Sequence, residues 1–361
     1  MIKSQILIRW ALTVQDIYQV YWMSAKINIG IIGFGRIGRN LLRLGYDDPR
    51  LNFVGISDLA EPEALFYLLN HDTVYGPVET ETFLEDNYIH FGRQKVRLLT
   101  GSGPGSLPWD ALGADIILDC TGRIWPRVEL EKYMDAGAKR VIVTTPPEDA
   151  VDRIVVMGLN DNEISMDDKI VSPSSSTTQV LALMLNILDS EYGLEKAMMT
   201  TVHAYTSDQP LADSVRSDLR RSRSAVENII PNQTRSPQLV ETILPHLKGK
   251  IEGIAFNVPI PDGSCVDLTT QLQSTPSVED VNALMKDVSE NSMSAIIGYT
   301  DDPIVSSDVV GDSHSMIFDA RATMIASGKL LKTLCWYDDG YGYSQRILEL
   351  TKAYSDLEKT A

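Results

Sequence analysis

The chain has 361 residues, 43% of them hydrophobic and 22% charged, a composition typical of a globular protein with a sizeable core. Its formal net charge of -17 argues against broad binding of nucleic acid or anionic membrane, because both require a positive surface. No stretch approaches the roughly 20 apolar residues of a membrane span, and the length suggests two domains.

The cysteines and histidines suggest neither a disulfide framework nor a metal site. Cys120, Cys265 and Cys335 are widely spaced and odd in number, which favours a reducing, cytoplasmic location. The five histidines lack the spacing of metal ligands, so we expect no metal.

Residues 1–25 precede the first convincing strand and are interpreted as an N-terminal extension outside the fold. Their apolar run is broken, and no small-residue cleavage site follows it. A native extension and a start codon assigned too far upstream both fit this pattern. A signal peptide is the less favoured alternative.

A dinucleotide-binding motif opens the folded part. Ile27 to Ile32 is a short, β-branched apolar run that predicts a buried parallel strand, and Arg39 to Leu44 predicts a helix. Between them the glycines would permit a tight turn, backbone approach to a pyrophosphate and close helix–strand packing. The residues predicted to bind the cofactor here are Gly33, Phe34, Gly35, Arg36, Ile37 and Gly38.

An acidic residue indicates which dinucleotide is bound. A second predicted strand, Phe53 to Ile56, leads to Asp58, about 20 residues after the last glycine of the motif. An acid at this place bonds the ribose hydroxyls and repels a 2′-phosphate, so NAD is favoured over NADP. The alternative is that Asp58 only caps the following helix.

Further alternation of strands and helices predicts an α/β fold with a doubly wound parallel sheet. Asp115 to Leu118 and Arg140 to Val143 are predicted strands, and Val128 to Ala136 is a predicted helix. The turn at Thr121 and Gly122 follows a strand end, so both residues are expected to lie against the cofactor.

Seven segments, in order, resemble the glyceraldehyde-3-phosphate dehydrogenase family. They are INIGIIGFGRIGRNLLR, LLNHDTVYG, GAKRVIV, TVHAYTSDQ, RRSRSAVENIIP, SSDVVGDSHSMIFDA and WYDDGYGYS. The resemblance implies a Rossmann NAD-binding domain over 26–175, completed by a C-terminal helix over 340–361. It also implies a mixed-sheet α+β catalytic and oligomerisation domain over 176–339, and a homotetramer.

The resemblance also shows a missing nucleophile. The family motif Ser-Asn-Ala-Ser-Cys-Thr-Thr-Asn corresponds here to SPSSSTTQ, which places Ser176 at the cysteine position. His203 matches the histidine that activates the thiol. Alternatively, Ser174 to Ser176 only start a helix, because serine is a favoured cap.

Other matched positions line the family's anion and cofactor sites, and several are changed. Asn257 replaces a phosphate-binding arginine, Arg235 replaces a glycine, and Asp339 replaces the asparagine that orients the nicotinamide amide. Arg235 would either bind an anion or block its site. The residues implied for the anion sites are Ser175, Thr177, Thr178, Thr206, Asp208, Thr234, Arg235 and Asn257, and those for the nicotinamide end are Asp339 and Tyr343.

Two functional hypotheses follow. The first is an NAD-binding member with lost or altered aldehyde dehydrogenase activity, acting through a homotetramer or a mixed tetramer with an active paralogue. The alternative is an active NAD-dependent aldehyde dehydrogenase of low rate or altered substrate. The small-molecule partner is then a phosphorylated aldehyde or none, and no nucleic acid or membrane partner is expected.

Overall fold

The computed structural model describes residues 26–101 and 103–360, so the predicted extension at 1–25 lies outside the described residues. The α-helices in this part are α1 (Arg36–Gly45), α2 (Pro62–Asn70), α3 (Arg127–Asp135), α4 (Ser176–Tyr192), α5 (Ser236–Ile243), α6 (Val278–Glu290) and α7 (Tyr341–Thr360). No helix within the described ranges is long and apolar enough to cross a membrane.

The strands fall into two large sheets and one short hairpin. Those of the first half of the chain are β1 (Ile27–Ile32), β2 (Leu51–Asp58), β3 (His71–Asp72), β4 (Gly76–Pro77), β5 (Thr82–Glu85), β6 (Tyr88–Phe91), β7 (Gln94–Thr100), β8 (Ile116–Asp119), β9 (Arg140–Val143), β10 (Arg153–Ile154) and β11 (Ile170–Ser172). Those of the second half are β12 (Leu194–Ala204), β13 (Ile230–Asn232), β14 (Ile251–Val258), β15 (Ser264–Leu272), β16 (Ile297–Thr300), β17 (Met316–Asp319), β18 (Met324–Ala326) and β19 (Leu330–Tyr337).

The first sheet has the order β10-β11-β9-β8-β1-β2-β7-β6-β5. The strands from β10 to β7 are parallel, and β6 and β5 extend the edge antiparallel. Alternate side chains of β1 enter different cores: Ile29 and Ile31 pack with α1 and α7, and Ile32 packs with α3. Helices therefore cover both faces, which confirms the predicted doubly wound fold.

The predicted elements of this half agree well with the structure. β1 and β9 have the predicted bounds, and the other elements differ by a few residues at their ends. The largest difference is at α1, which begins at Arg36 rather than Arg39. Gly38 is a weak helix former, so the glycine motif hides the first turn, whereas the backbone becomes helical directly after the extended residue Gly35.

The second sheet has the order β13-β14-β12-β15-β19-β17-β16, with β18 paired to β19. β12 pairs parallel with β14 and β16 with β17, and the remaining pairs are antiparallel, so the sheet is mixed as expected. Helix α4 lies in the core of this half, and Val180 to Leu185 are completely buried. This burial fixes the helix and with it Ser176, its first residue.

Helix α7 returns to the first sheet. Tyr343, Ile347, Leu350 and Tyr354 are buried in the same core as β1 and α1. The hydroxyl of Tyr354 donates to Asp168 at 2.9 Å. The C-terminal helix thus completes the nucleotide-binding half, and we propose the boundary between the halves at residue 175, just before α4.

Candidate active site

The glycine-rich turn between β1 and α1 has the packing that its sequence predicts. A Cβ on Gly33, whose φ is +85°, would lie 2.6 Å from the Cys120 carbonyl oxygen, and one on Gly38 would lie 2.4 Å from the Gly33 carbonyl oxygen. A Cβ on Gly35 would meet nothing within 4 Å. The first and third glycines are therefore required by contacts within the protein, whereas the second faces open space.

That open space lies at the start of a ten-residue helix. Gly35 is the N-cap and makes no side-chain cap bond, and Arg36 begins the helix. The first N–H groups of a helix lack partners within the helix and carry its positive dipole end, a combination that binds phosphate. These residues therefore fit the pyrophosphate of a dinucleotide.

Asp58 lies beside this turn and caps no helix. Its Oδ2 accepts from the Phe34 N–H at 2.7 Å, and its Oδ1 accepts from the Leu59 and Ala60 N–H groups at 2.7 and 3.1 Å. The N-cap of α2 is instead Glu61. The helix-cap alternative for Asp58 is thus wrong, and its carboxyl group instead braces the glycine turn.

A cavity of about 130 Å³ opens next to Asp58. It is lined by Gly33, Asp58, Leu59, Gly101, Thr121 and Arg123. Thr121 is held by its hydroxyl, which donates to Asp119 at 2.7 Å, and Gly122 has a φ of +70°. The sequence argument missed Arg123, although it directly follows the predicted turn.

Ser176 occupies the first turn of α4. The preceding Ser175 is the N-cap, and its Oγ accepts from the Thr178 N–H at 3.1 Å. Ser174 is buried with a φ of +65°, and its carbonyl accepts from the Tyr343 hydroxyl at 2.9 Å. The helix-start hypothesis is therefore correct for Ser175, whereas Ser176 is a helical residue whose hydroxyl is not the cap.

His203 lies near the end of β12, opposite Asn257 of β14. Its Nδ1 is 2.7 Å from the Ala204 carbonyl oxygen, and its Nε2 is 3.3 Å from Oδ1 of Asp339. The Ser264 hydroxyl donates to the same carboxyl group at 2.7–2.8 Å. Both ring nitrogens of His203 thus have an oxygen partner.

Burial dominates the electrostatics of Asp339. It raises the pKa of this carboxyl group to about 7, although His203 opposes the shift. The neighbouring Asp262 raises it further, and the pKa of Asp338 is likewise raised to about 6 by burial and Asp262. Tyr75 contacts both Asp262 and Asp338 at 2.8 Å. Three carboxyl groups are therefore adjacent here, and of these only Asp339 lines the cavity that contains His203.

A cavity of about 250 Å³ brings the two halves of the protein together. Its lining includes Arg36 and Ile37 from the glycine turn, Ser176, His203, Asp339 and Tyr343. The predicted catalytic pair thus faces the same space as the start of the cofactor-binding helix. A dinucleotide lying across the turn would reach from the Asp58 cavity into this one.

A larger cavity, about 560 Å³, adjoins the catalytic residues. Of the predicted anion-site residues, it is lined by Ser175, Thr177, Thr206, Thr234, Arg235 and Asn257, and His203 lines it too. Thr178 lies beneath this surface, where its hydroxyl bonds Ser175 and Ser236. Asp208 contacts Thr206 and forms an ion pair with Arg221, which lines the cavity.

The side chains of Arg235 and Asn257, both predicted to line the anion sites, already have partners within the protein. Arg235 donates to the Pro147 carbonyl oxygen at 3.0 Å and lies 3.7 Å from a carboxyl oxygen of Glu148. Asn257 donates to the Ala204 carbonyl oxygen at 3.3 Å. The sequence argument missed Arg221 and Glu148; only the arginine-rich stretch 216–223 hinted at the former.

The cysteines do not supply a substitute nucleophile. Cys265 and Cys335 are buried, and none of the three cysteines lines the cavities around His203. Burial raises the pKa of the Cys265 thiol to about 11, and those of Cys120 and Cys335 still higher. Among the described residues, no cluster of His, Cys, Asp and Glu could hold a metal ion.

Comparison with known proteins agrees with this geometry. The profile for the glyceraldehyde 3-phosphate dehydrogenase NAD binding domain matches residues 27–126, and that for the C-terminal domain matches residues 175–339. The chain belongs to the glyceraldehyde-3-phosphate dehydrogenase family. The resemblance seen in the sequence is thereby confirmed, as is a nicotinamide dinucleotide as the cofactor of the first half.

Full-length relatives give the same result. The chain is 40% identical over 341 residues to glyceraldehyde-3-phosphate dehydrogenase 1 of Trichormus variabilis, covering 93% of this chain and 99% of the relative. It is 40% identical over 334 residues to the Borreliella burgdorferi glyceraldehyde-3-phosphate dehydrogenase, covering 90% and 99%. Glyceraldehyde-3-phosphate dehydrogenase 1 of Bacillus subtilis is 37% identical over 325 residues, covering 90% and 97%.

Proposed function

We propose that this member of the family binds NAD but has lost or altered its aldehyde dehydrogenase activity. The observation that carries the proposal is Ser176, which stands at the family's cysteine position and lines the same cavity as His203. His203 is retained beside it, whereas the residues at 235, 257 and 339 differ from the family pattern. The nucleophile therefore distinguishes this site from that of an active dehydrogenase.

The chemistry of oxygen and sulfur explains the expected loss. A thiol with a pKa near 8.5 is partly ionised at neutral pH, and a helix N-terminus increases that fraction. A serine hydroxyl attacks only when an adjacent base removes its proton. If Ser176 did attack an aldehyde, hydride loss would give an ester, which transfers its acyl group to phosphate less readily than a thioester does.

The substrate-binding residues support the same proposal. Asn257 has no charge, and Arg235 is already engaged by Glu148 and a carbonyl oxygen. Arg221 is engaged by Asp208. A phosphorylated aldehyde would therefore have to displace existing ion pairs. This favours a protein that has either no aldehyde substrate or a substrate different from that of the family.

The remaining proposals concern cofactor and assembly. We propose NAD rather than NADP, because the Asp58 carboxyl group lies at the cavity expected for the adenosine ribose. We propose a homotetramer, or a mixed tetramer with an active paralogue, since homologous dehydrogenases imply this assembly. A cytoplasmic location is proposed from the free cysteines.

The alternative is a slow dehydrogenase with an altered substrate. It is supported by the retention of His203 and of Thr177, Thr206 and Thr234 in one cavity. Under this alternative the histidine would take the proton of Ser176 during attack on the aldehyde.

Stopped-flow absorbance of NADH distinguishes a protein without dehydrogenase activity from a slow dehydrogenase. NAD-loaded protein is mixed with glyceraldehyde 3-phosphate and arsenate, with the Bacillus subtilis relative as a positive control. We expect no NADH from this protein, while calorimetry shows that NAD binds. A burst of NADH in the parent protein would contradict the loss of activity and establish the alternative.

A further inference from the structure

The exchange of asparagine for aspartate at position 339 has a direct effect on the catalytic histidine. The Asp339 carboxyl group, whose side chain is 9% exposed, lies 3.3 Å from Nε2 of His203 and is held there by the Ser264 hydroxyl. Its own N–H donates to Asp262 at 3.0 Å, which fixes the backbone as well. The carboxyl group therefore has little freedom to move away from the imidazole.

The other side of the ring is also fixed. Nδ1 of His203 lies 2.7 Å from the Ala204 carbonyl oxygen, so Nδ1 carries a proton and Nε2 is the nitrogen whose lone pair could act as a base. The Tyr337 ring packs edge-on against the imidazole, with 6.2 Å between the two ring centroids. In the described part of the chain, no hydrogen bond joins Ser176 to His203.

The Asp339 carboxyl oxygen lies 3.3 Å from Nε2, the ring nitrogen that a hydroxyl at position 176 would need as its base. Asp339 therefore competes with Ser176 for Nε2.

We propose that Asp339 is a positioning residue that holds His203 in a closed pair and withdraws it from position 176. This inference deepens the proposed loss of activity and rests on it. The site has then lost its base function as well as its nucleophile, and a cysteine at position 176 alone does not restore an activated thiol. An asparagine at 339, being neutral, would hold the imidazole more weakly.

The test measures the reactivity of a new thiol against pH. Rates of iodoacetamide alkylation between pH 5 and 9 are compared for Ser176→Cys and for Ser176→Cys combined with Asp339→Asn. The parent protein serves as the blank for the buried cysteines. An imidazole that is free to accept the thiol proton forms a thiolate–imidazolium pair, which lowers the apparent pKa of the thiol. The double variant should therefore have a midpoint at least about one pH unit lower.

A matched control separates positioning from the removal of charge. Asp339→Asn is also compared on a Ser176→Cys, His203→Gln background, where the same carboxyl group is removed but no imidazole is present to be released. We expect no comparable shift of the midpoint on this background. Equal midpoints for Ser176→Cys with and without Asp339→Asn, or an equal shift on the His203→Gln background, would overturn the proposal.

A second measurement leaves position 176 unchanged, in case the thiol variants do not fold. Imidazole ¹⁵N spectra of the parent and of Asp339→Asn are recorded at pH 7, with His203→Gln to assign the signal. A changed Nε2 resonance supports the closed pair, and an unchanged one overturns it. NADH formation by the parent would instead refute the proposed function, so the two failures are distinguishable.

Discussion

At the scale of residues, the site differs from the family pattern at its central atom, the side-chain oxygen of Ser176 in place of a cysteine sulfur. Ser176 has the position, the helix N-terminus and the neighbouring histidine of a catalytic residue, yet an oxygen replaces the sulfur that would ionise there. Asp339 and Asn257 flank it and change the charge on two sides. Three polar side chains of the site thus differ from the family pattern, while the surrounding fold is intact.

Asp58 and Arg123 are a second pair whose effect belongs to the residue scale. Both line the cavity next to the glycine turn, where one carries a negative and the other a positive charge. A 2′-phosphate would be repelled by the first and attracted by the second. We predict that the balance of these two charges sets the choice between NAD and NADP.

We predict that the parent binds NAD more tightly than NADP and that Asp58→Ser reduces this preference roughly tenfold, equivalent to about 1.4 kcal/mol. Calorimetric titration of both nucleotides measures the ratio. Arg123→Gln should increase the preference, because it removes the positive charge. Asp110→Asn, at an exposed site outside this cavity, is the control. A ratio unaffected by Asp58→Ser would show that this carboxyl group does not discriminate.

At the scale of elements, the turn from β1 into α1 illustrates how one motif combines packing and binding. Gly33 and Gly38 allow strand, turn and helix to approach closely, and Gly35 leaves the helix terminus open. The six residues from Gly33 to Gly38 therefore set the packing of the strand against the helix and leave room for a phosphate group.

Substitution by alanine should have different effects at the tightly packed Gly38 and at Gly35, which faces open space. Gly38→Ala would place a Cβ 2.4 Å from the Gly33 carbonyl oxygen, so we expect a loss of about 2 kcal/mol or more in the free energy of unfolding. Gly35→Ala meets no atom within 4 Å, and its stability should change by less than about 1 kcal/mol. Urea unfolding measures both.

NAD titration completes that comparison. Gly35→Ala should bind NAD more weakly although it folds normally, because its methyl group enters the space left for the pyrophosphate. Normal NAD binding by Gly35→Ala, or normal stability of Gly38→Ala, would contradict these roles.

The surface of the whole molecule suggests assembly. Residues 205–229 form a long segment without helix or strand, and apolar side chains on it are widely exposed. Val215 is 98% exposed and Leu219 83% exposed, and Met198 and Ile254 are exposed on neighbouring strands. Exposed apolar surface of this kind marks an interaction site, which supports the proposed tetramer.

We predict that the protein is a tetramer and that Val215→Asp with Leu219→Asp shifts it towards smaller species, because buried carboxylates would lack partners. Light scattering coupled to gel filtration gives the mass. Val128→Asp changes an exposed valine on α3 and should leave the mass unchanged. A monomeric parent would refute the assembly.

The sequence by itself determined the fold class, because the patterns of strands and helices are local, and its resemblance to the family predicted the missing nucleophile at Ser176. The strands β1 and β9, the glycine turn and the change at Ser176 are all visible within short segments. Asp58 was found by its spacing, although its contact with Phe34 was not foreseen.

Only the tertiary structure decided what the substituted residues contact. Ser176, His203 and Asp339 are far apart in the chain, and packing alone brings them to one cavity. The 3.3 Å approach of Asp339 to Nε2 and the engagement of Arg235 by Glu148 depend on the chosen rotamers. Rotamers are selected by neighbours from distant segments, a level of information that residue spacing does not contain.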